Sequence, residues 1–276
     1  MEWMRDEWPE ALTMRYLEAG AGVDTVDGAL DAKTVPFAIL AQATSGRYRL
    51  AYDGRSTEAG PESIVIAPPH RRLTFGHYAT DESVMRSRWA HVAFSLWGSI
   101  DLWDLVELPR RLDGRAAEIV GESIHALLTD APGEDPVRRL TRRLQIGATL
   151  AEVLITASTP RPEAADIAEG AFQLRPLLRY MQESLADPLD VAQLARVACL
   201  SEATLHRRFR QVFGTTPMRY LKRLRLDEAA RTLGRTDRTI GAVAEEVGFA
   251  NPYHFSREFQ RAFGMPPRDF RTAASR

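Results

Sequence analysis

An internal repeat with a spacing of 50 residues is the feature that most constrains the fold of this 276-residue chain. The matched segments are Leu205–Phe209 with Phe255–Phe259, Phe213-Gly214 with Phe263-Gly264, Pro217 with Pro267, and Tyr220 with Phe270. Upstream of these segments, Leu194-Ala195 matches Val243-Ala244 once one residue is inserted in the turn. The repeat indicates two copies of one supersecondary unit.

Each copy is predicted to be a helix, a tight turn and a second helix. In the first copy, Asp190 and Ser201 are placed to cap the two helices, because their side-chain oxygens accept unpaired N–H groups of a first turn. Gly214 follows the second helix, where glycine readily adopts the left-handed conformation. The corresponding residues of the second copy are Thr239, Asn251-Pro252 and Gly264, with Val247-Gly248-Phe249 in the turn. This motif places its second helix in the major groove of DNA, and a helix from Pro217 to about Leu233 joins the copies.

The second helix of each copy separates an apolar face from a polar face. The apolar stripes are Leu205, Phe209 and Phe213 in the first copy, and Phe255, Phe259 and Phe263 in the second. The candidate DNA-binding residues on the polar faces are Ala203, His206, Arg207 and Arg210, and Tyr253, Ser256, Arg257 and Gln260. Arginine can donate two parallel hydrogen bonds to guanine, and glutamine can pair with adenine. An arginine at the same outward position of both copies argues against an ordinary solvated face.

Positive charge is concentrated in the same part of the chain. Residues 171–276 contain 18 Arg and Lys against 11 Asp and Glu, whereas residues 1–170 contain 18 against 26. This division is expected of a nucleic-acid-binding domain fused to a separate module. Lys222, Arg223 and Arg225 are expected to hold phosphates and set the register on DNA. Arg208 lies beside the apolar stripe and is expected to make a phosphate contact or a structural one.

Short strands are predicted between residues 35 and 97, because apolar runs alternate with turn signals such as Ser45-Gly46 and Asp53-Gly54. The runs are 37–40, 48–52, 63–67, 73–75 and 89–96. Their spacing is typical of a small β-barrel or a sandwich. Two helices are predicted to follow, at about 115–128 and 136–156, and Thr159–Glu163 is predicted to be a linker.

Composition argues against several other classes of protein. No apolar run approaches the ~18 residues of a membrane span, and the acidic start Met1–Glu10 predicts no signal peptide. The single cysteine, Cys199, cannot form an intrachain disulfide, is expected to be a packed thiol, and fits the reducing cytoplasm in which we expect the chain to reside. The histidines His70, His77, His91 and His125 include no His-x-His pair, so no metal site is expected. Without a phosphate loop, a nucleophile elbow or paired zinc cysteines, neither a cofactor nor catalysis is expected.

Residues from about 171 to 273 resemble the DNA-binding domain of AraC-type (arabinose-regulator-like) transcription factors. The resemblance is carried by Leu205-x-Arg207-x-Phe209, Phe213-Gly214-x-x-Pro217, Arg225, Ala229, Val247-Gly248-Phe249, Tyr253-x-Phe255-x-Arg257-x-Phe259, Gly264-x-x-Pro267 and Phe270-Arg271. It implies seven helices, two of which read double-stranded DNA. The family's base-contacting positions fall here on Ala203, His206, Arg207, Pro252, Tyr253 and Arg257. Ala203 and Pro252 are poor hydrogen-bonding side chains, although Ala203 can touch a thymine methyl group.

The N-terminal part is similar to the cupin-type sensor domain of the same family. Ser63–Pro69 and Trp89-x-His91-Val92-x-Phe94 are similar to strands that line the sugar pocket of such sensors. The resemblance implies that Phe75, Trp89 and His91 bind a small-molecule effector, for which a carbohydrate is one candidate. It also implies that the helices after the barrel pair two chains in a homodimer, and RNA polymerase is a further candidate partner.

The expected fold class is α+β, with a cupin-like β-barrel and trailing helices followed by an all-α domain of tandem helix-turn-helix units. The expected domains are 1–158 for ligand sensing and dimerisation, 159–170 as a linker, and 171–276 for DNA binding. Two alternatives for the N-terminal part stay open, namely a dimerisation or protein-contact module without a ligand, and a cupin enzyme. A barrel filled with side chains would favour the first, and a metal held by three protein ligands would favour the second.

Overall fold

The structure is a computed structural model that describes residues 12–24, 27–79, 84–96, 100–129 and 135–274. The chain divides into two compact units. The first comprises the described residues of 14–94 and 106–159, and the second comprises those of 160–275 with those of 1–13 and 95–105. The stretch Met1–Glu10, in which no signal peptide is predicted, lies outside the described residues. Within the described ranges, no helix combines the length and the apolar character needed to cross a membrane.

The N-terminal part of the chain is built mainly from antiparallel strands. The strands are β1 (Leu12–Asp24), β2 (Ala29–Lys33), β3 (Ala38–Ser45), β4 (Arg47–Tyr52), β5 (Arg55–Ala59), β6 (Ile64–Ala67), β7 (Leu73–Tyr78), β8 (Met85–Leu96), β9 (Ile100–Asp101), β10 (Val106–Glu107), β11 (Arg111–Leu112) and β12 (Thr159–Pro160). All five predicted strand runs are confirmed, whereas β1, β2, β5 and the two-residue strands β9, β10, β11 and β12 were not predicted. Three helices accompany these strands, namely α1 (Leu102–Leu105), α2 (Gly114–Leu128) and α3 (Pro136–Ala157).

The main strands form two separate sheets. One sheet has the order β1-β8-β3-β6-β11, with β9 paired to the end of β8, and the other has the order β2-β7-β4-β5. The two sheets pack against each other, and the hydroxyl of Tyr48 on β4 shares a hydrogen bond with Ser87 on β8. Among the described residues no ladder joins the two sheets, so the expected cupin-like strand arrangement is present as two sheets and the expected closed barrel is not.

The interior between the sheets contains a stack of aromatic rings. The ring of His91 lies between Phe37, at a centroid distance of 4.4 Å, and Trp89, at 4.2 Å. Tyr16 continues the stack at 4.9 Å from Phe37. Stacked rings at these separations bury a large apolar area and add to the stability of the core.

The face of the first sheet on the other side from this stack carries the helix α2. The helix buries Ala117, Val120 and Ile124, whose spacing of three and four residues places them on one face. Gly121 belongs to the same buried face, and an added Cβ there would lie only 2.9 Å from Gln42 Oε1. The missing side chain therefore lets α2 approach the sheet closely.

The C-terminal unit contains the remaining helices. They are α4 (Ala164–Gln173), α5 (Arg175–Glu183), α6 (Val191–Val197), α7 (Glu202–Phe213), α8 (Pro217–Arg235), α9 (Ile240–Glu246), α10 (Pro252–Phe263) and α11 (Pro267–Ala274). The predicted all-α architecture and the joining helix are confirmed. The helix α4 occupies most of the range 159–170 that was predicted to be a linker. The division into the domains expected from the sequence stays a prediction.

The core of this unit repeats along with the sequence. The rings of Phe209 and Phe213 on α7 contact Tyr220, at centroid distances of 5.6 and 4.8 Å. The equivalent rings of Phe259 and Phe263 on α10 contact the ring at position 270 at 5.3 and 5.5 Å. Because each recognition-type helix is fixed by the same pair of ring contacts, the two copies fold as two similar units.

Candidate nucleic-acid interface

The first helix-turn-helix unit consists of α6, a turn and α7. The carboxylate of Asp190 accepts a hydrogen bond from the Gln193 N–H, and Gln193 Oε1 accepts one from the Asp190 N–H, which completes a capping box. Ser201 Oγ accepts from the Thr204 N–H at 3.2 Å and so caps α7. Gly214 ends α7 with a φ of 63°. The predicted caps and end of this unit are confirmed.

The second unit consists of α9, a turn and α10, and its ends are fixed by the same devices. Thr239 Oγ1 accepts from the Ala242 N–H, and Asn251 Oδ1 accepts from the N–H groups of Tyr253 and His254. Gly264 ends α10 with a φ of 77°. The helices α7 and α10, which are equal in length, are therefore capped by side chains at equivalent positions of the repeat.

The two turns also have the same hydrogen bonds. The Leu200 N–H donates to Ala195 O at 2.9 Å, and the Phe249 N–H donates to Ala244 O at 2.8 Å. This closure requires a left-handed residue just before the donor. That residue is Gly248 in the second turn and Cys199 in the first, where the side chain is exposed. The expectation that Cys199 is a packed thiol is therefore wrong.

The candidate base-reading residues lie on the outer faces of α7 and α10. Their exposed members are Ala203, Arg207 and Arg210 on α7, and Tyr253, Arg257 and Gln260 on α10, while His206 and Ser256 are half-buried. Tyr253 exposes 84% of its surface, which is unusual for a large aromatic side chain. The opposite faces bury Leu205 and Phe209, and the corresponding Phe255 and Phe259. The structure thus presents the predicted residues together on two equivalent surfaces.

The arginines of these outer faces have side-chain donors that form no hydrogen bond within the described residues. Within the described residues, Arg207, Arg210 and Arg257 form no ion pair and no side-chain hydrogen bond. Other arginines of the same unit are paired, as Arg179 is with Glu183 at 2.7 Å and Arg231 with Glu228 at 3.1 Å. A guanidinium that is exposed and unpaired keeps its fork of donors available for a phosphate or a guanine edge.

The basic residues of the joining helix α8 are engaged within the protein. Arg223 lies 3.2 Å from Asp104 Oδ2, and although burial lowers the pKa of Arg223, the charge of Asp104 raises it above its ordinary value. Lys222 binds the carboxylate of Glu258. Arg225 donates to two backbone carbonyls, Asp187 O at 2.6 Å and Gly248 O at 3.3 Å. These contacts give the three residues structural roles, and the phosphate contacts expected of them stay a prediction.

Arg225 links the two helix-turn-helix units. Asp187 precedes the first unit and Gly248 forms the turn of the second, so one guanidinium group connects them. The turn is tightly enclosed, because an added Cβ at Gly248 would lie 2.4 Å from Leu185 O and 3.0 Å from Arg225 Cζ. Arg225 belongs to the family motif, but its linking role could not be predicted from the sequence, since both acceptors are backbone atoms.

The candidate ligand-binding residues of the N-terminal part lie between the two sheets. Trp89 and His91 are stacked on each other, and Phe75 on the opposite sheet contacts the edge of Tyr48 at 5.8 Å. Phe75 and His91 are buried, and His91 Nδ1 has no hydrogen-bond partner among the described residues. Burial, with a smaller contribution from the charge of Lys33, lowers the pKa of His91 well below its usual value. The ligand role of these three residues stays a prediction.

A polar cavity in the first compact unit was not anticipated from the sequence. It has a volume of about 570 Å³ and lies between α2 and the first sheet, where Gln42 and Arg88 contribute to its wall. None of Phe75, Trp89 and His91 lines it. In the described part of the chain, no group of three or more His, Cys, Asp or Glu side chains is arranged to hold a metal ion.

Comparison with known proteins supports a helix-turn-helix domain in the C-terminal unit. A family model described as a helix-turn-helix domain matches residues 194–273. The HTH-type transcriptional activator RhaS of Pectobacterium carotovorum is 40% identical over 98 residues, which cover 36% of this chain and 35% of that protein. RhaS of Escherichia coli is 37% identical over 106 residues, covering 38% of each chain. The match thus spans little more than a third of the length of these relatives. Residues 194–273 form a helix-turn-helix domain that is similar to a segment of the RhaS activators.

A solved structure extends the likeness of fold to most of the chain. The crystal structure of ToxT from Vibrio cholerae with a bound unsaturated fatty acid has a TM-score of 0.54 and an identity of 11%. It covers 92% of this chain and 94% of ToxT. At this identity the likeness concerns the fold alone, and it agrees with a sheet-rich N-terminal part followed by helical helix-turn-helix units.

Proposed function

We propose that this chain is a sequence-specific DNA-binding transcription regulator that reads the major groove with α7 and α10. The observation that carries the proposal is the equivalence of Arg207 and Arg257. Both side chains are exposed, both lie at the same position of a repeated recognition helix, and neither is paired among the described residues. A single solvated arginine has no such implication, but a repeated one on a helix-turn-helix scaffold is suited to bind guanine edges.

The helix α8 sets the separation of the two readers. Its 19 residues give a length of about 28 Å at ~1.5 Å per residue. Successive major-groove faces on one side of B-DNA lie about 34 Å apart. The two lengths are close enough for one chain to contact adjacent grooves, and bending of the duplex would reduce the remaining difference.

The individual side chains suggest a division of labour on DNA. Arg207 and Arg257 are assigned to guanine, and Gln260 to adenine, because these are the pairings that each donor set fits. Tyr253 offers an aromatic edge and a hydroxyl group at the start of α10. Arg210 lies one turn beyond His206 and is suited to hold a phosphate, which positions α7 without specifying a base.

Selection of genomic DNA by the purified protein tests this function. Fragments that are retained should share one sequence motif, in which two conserved segments lie about one helical turn of DNA apart. Fluorescence anisotropy with the selected duplex should then show tighter binding than with a shuffled duplex at the same salt concentration. Retention of random fragments with equal affinity would contradict sequence-specific regulation.

For the N-terminal part, we propose a sensor that binds a small-molecule effector between the two sheets. Support comes from the unpartnered Nδ1 atom of the buried His91 and from the adjacent ring of Trp89, a combination suited to a hydroxyl-bearing ligand such as a sugar. ToxT, which has the same fold, has been crystallised with an unsaturated fatty acid. Calorimetry of the full chain against a metabolite panel tests this role, and absence of binding by every member would favour a module without a ligand.

A second function of the N-terminal part, pairing of two chains, is supported by the helix α3. Val137, Leu140 and Leu144 expose 69, 59 and 54% of their surface and share one face of this helix. The spacing of three and four residues is that of a helix-pairing seam, which a second copy of the chain fits through two-fold symmetry. We therefore propose a homodimer that acts in the cytoplasm, with RNA polymerase as a further partner and without catalytic activity.

A further inference from the structure

The polar cavity beside α2 lies on the other side of the first sheet from the proposed effector residues. In the pairing of β3 with β8, Gln42 lies opposite Arg88 and Ala41 lies opposite Trp89. Successive residues of a strand point to opposite faces. Arg88 therefore faces α2, whereas Trp89 faces the interior between the sheets. This cavity is therefore a separate place in the fold from the proposed effector residues and from the outer faces of α7 and α10.

The guanidinium group of Arg88 is fixed in orientation at the wall of this cavity. Gln42 is buried, and its Oε1 accepts from Arg88 Nε at 2.7 Å. The Nε2 atom of Gln42 donates to Pro61 O, also at 2.7 Å, so the amide itself cannot rotate freely. Among the described residues, the two terminal nitrogens of Arg88 form no hydrogen bond. A guanidinium group that is held by its inner nitrogen and has both outer nitrogens free is oriented to bind a carboxylate through two parallel hydrogen bonds.

The acidic residues around the cavity fall into two groups. Asp113 accepts from Ser63 Oγ and from Arg111, each at 2.7 Å, and Glu118 accepts from Arg115 at 3.1 Å, so the charges of these two carboxylates are already compensated. Glu62 and Glu122 also line the cavity, are exposed, and have no partner among the described residues. The cavity wall thus carries one guanidinium group with free outer nitrogens and two carboxylates that have no partner among the described residues. This arrangement disfavours a dianion, which the carboxylates would repel, and a metal ion, which Arg88 would repel.

We propose that this cavity binds a free amino acid or a similar small zwitterion, with its carboxylate on Arg88 and its ammonium group facing Glu62 and Glu122. The volume of about 570 Å³ lies within the range of small-molecule pockets. Burial lowers the pKa of Arg88 because its charge is partly withdrawn from water, and an incoming carboxylate would restore the lost stabilisation. The fork of Arg88 gives orientation, and the two carboxylates exclude simple organic anions.

Isothermal calorimetry of the full chain with each standard amino acid at millimolar concentration tests the proposal. At least one amino acid should bind, and the matching carboxylate without an amino group should bind much more weakly. Arg88→Lys should weaken binding by about tenfold or more, because an ammonium group cannot donate two parallel bonds. Glu62→Gln with Glu122→Gln should also weaken it. Arg49→Lys, at an exposed position of the other sheet, should bind like the parent.

Two results would overturn the proposal. One is that no amino acid binds the parent chain, and the other is that Arg88→Lys, shown to be folded by its melting temperature, binds as tightly as the parent. Equal binding of the deaminated carboxylate would contradict the zwitterion in the same way. DNA binding is measured on the same preparations without amino acids, so failure of this site is distinguished from failure of the proposed regulatory function.

Discussion

Cys199 and Gly248 occupy the same position in two copies of one turn, with φ values of 53° and 81°. Each residue lies between the two helices of its unit, and each is followed by the same backbone hydrogen bond back to an alanine. Their surroundings differ. Gly248 is enclosed by Leu185 O and by the guanidinium group of Arg225, whereas the side chain of Cys199 is exposed. The first turn therefore tolerates a side chain that the second excludes.

Substitutions at these two positions should have unequal effects on stability. Gly248→Ala should lower the free energy of unfolding by at least about 2 kcal/mol, because it adds left-handed strain to a clash with Leu185 O. Cys199→Gly should change it by less than about 1 kcal/mol, since relief of strain offsets the greater chain entropy of glycine. Urea unfolding followed by circular dichroism measures both. Equal stability of Gly248→Ala and the parent chain would be incompatible with the enclosed turn.

Arg207 and Arg257 should each contribute to affinity and to base preference. Arg207→Ala and Arg257→Ala are each expected to weaken binding to the selected duplex by about 1–3 kcal/mol and to relax the preference at one base pair. Anisotropy titrations against duplexes altered at single positions measure both effects. Arg179→Ala is the matched control, because Arg179 is exposed on α5 and pairs with Glu183. If the two variants discriminate between bases as the parent does, these arginines do not read DNA.

Arg225 should be required for the stability of the C-terminal unit even though it lies outside the reading faces. Arg225→Lys is expected to lower the free energy of unfolding by about 1–3 kcal/mol, because one ammonium group cannot replace the fork that reaches Asp187 O and Gly248 O. Arg219→Lys, at an exposed position of the same helix, is a control with a small expected effect. Unchanged unfolding of Arg225→Lys would show that the link contributes little.

The sequence predicted the helix-turn-helix units well because their determinants are local. Apolar residues recur at helical spacing, and Ser201, Asn251 and Gly264 cap or end helices within a few residues of where they stand. The left-handed Cys199 was missed because cysteine carries no turn signal. Only comparison with Gly248, 49 residues later, could have pointed to it.

The features that the sequence did not reveal depend on contacts between distant segments. Arg88 and Gln42 are 46 residues apart and meet only because β3 and β8 pair in a particular register. The contact of Arg223 with Asp104 was missed for the same kind of reason, since the two residues are 119 positions apart. The long strand β1 was missed because its residues alternate weakly and include two glycines. Pairing partners, more than local preference, decide these features.

The buried His91 should make folding sensitive to acid. Its pKa is lowered in the folded state, so between that pKa and about 6.5 the unfolded chain binds a proton that the folded chain does not. Stability is therefore fully present above about pH 6.5 and falls as the pH decreases below it, by up to about 1.4 kcal/mol per unit from this group. His91→Phe should reduce this slope, whereas His125→Gln, at an exposed position, should retain it. Parallel pH profiles of His91→Phe and the parent would rule out this origin.

The exposed face of α3 should control the oligomeric state. Val137, Leu140 and Leu144 lie along one side of the helix with most of their surface exposed, and pairing with a second copy would remove that apolar area from water. Leu140→Lys combined with Leu144→Lys should convert a dimer into a monomer in light scattering, because two opposed lysines at each level would repel. Gln145→Lys adds the same charge at an exposed neighbouring position and should remain dimeric. If the double variant keeps the mass of the parent dimer and remains folded, the two chains pair through another surface.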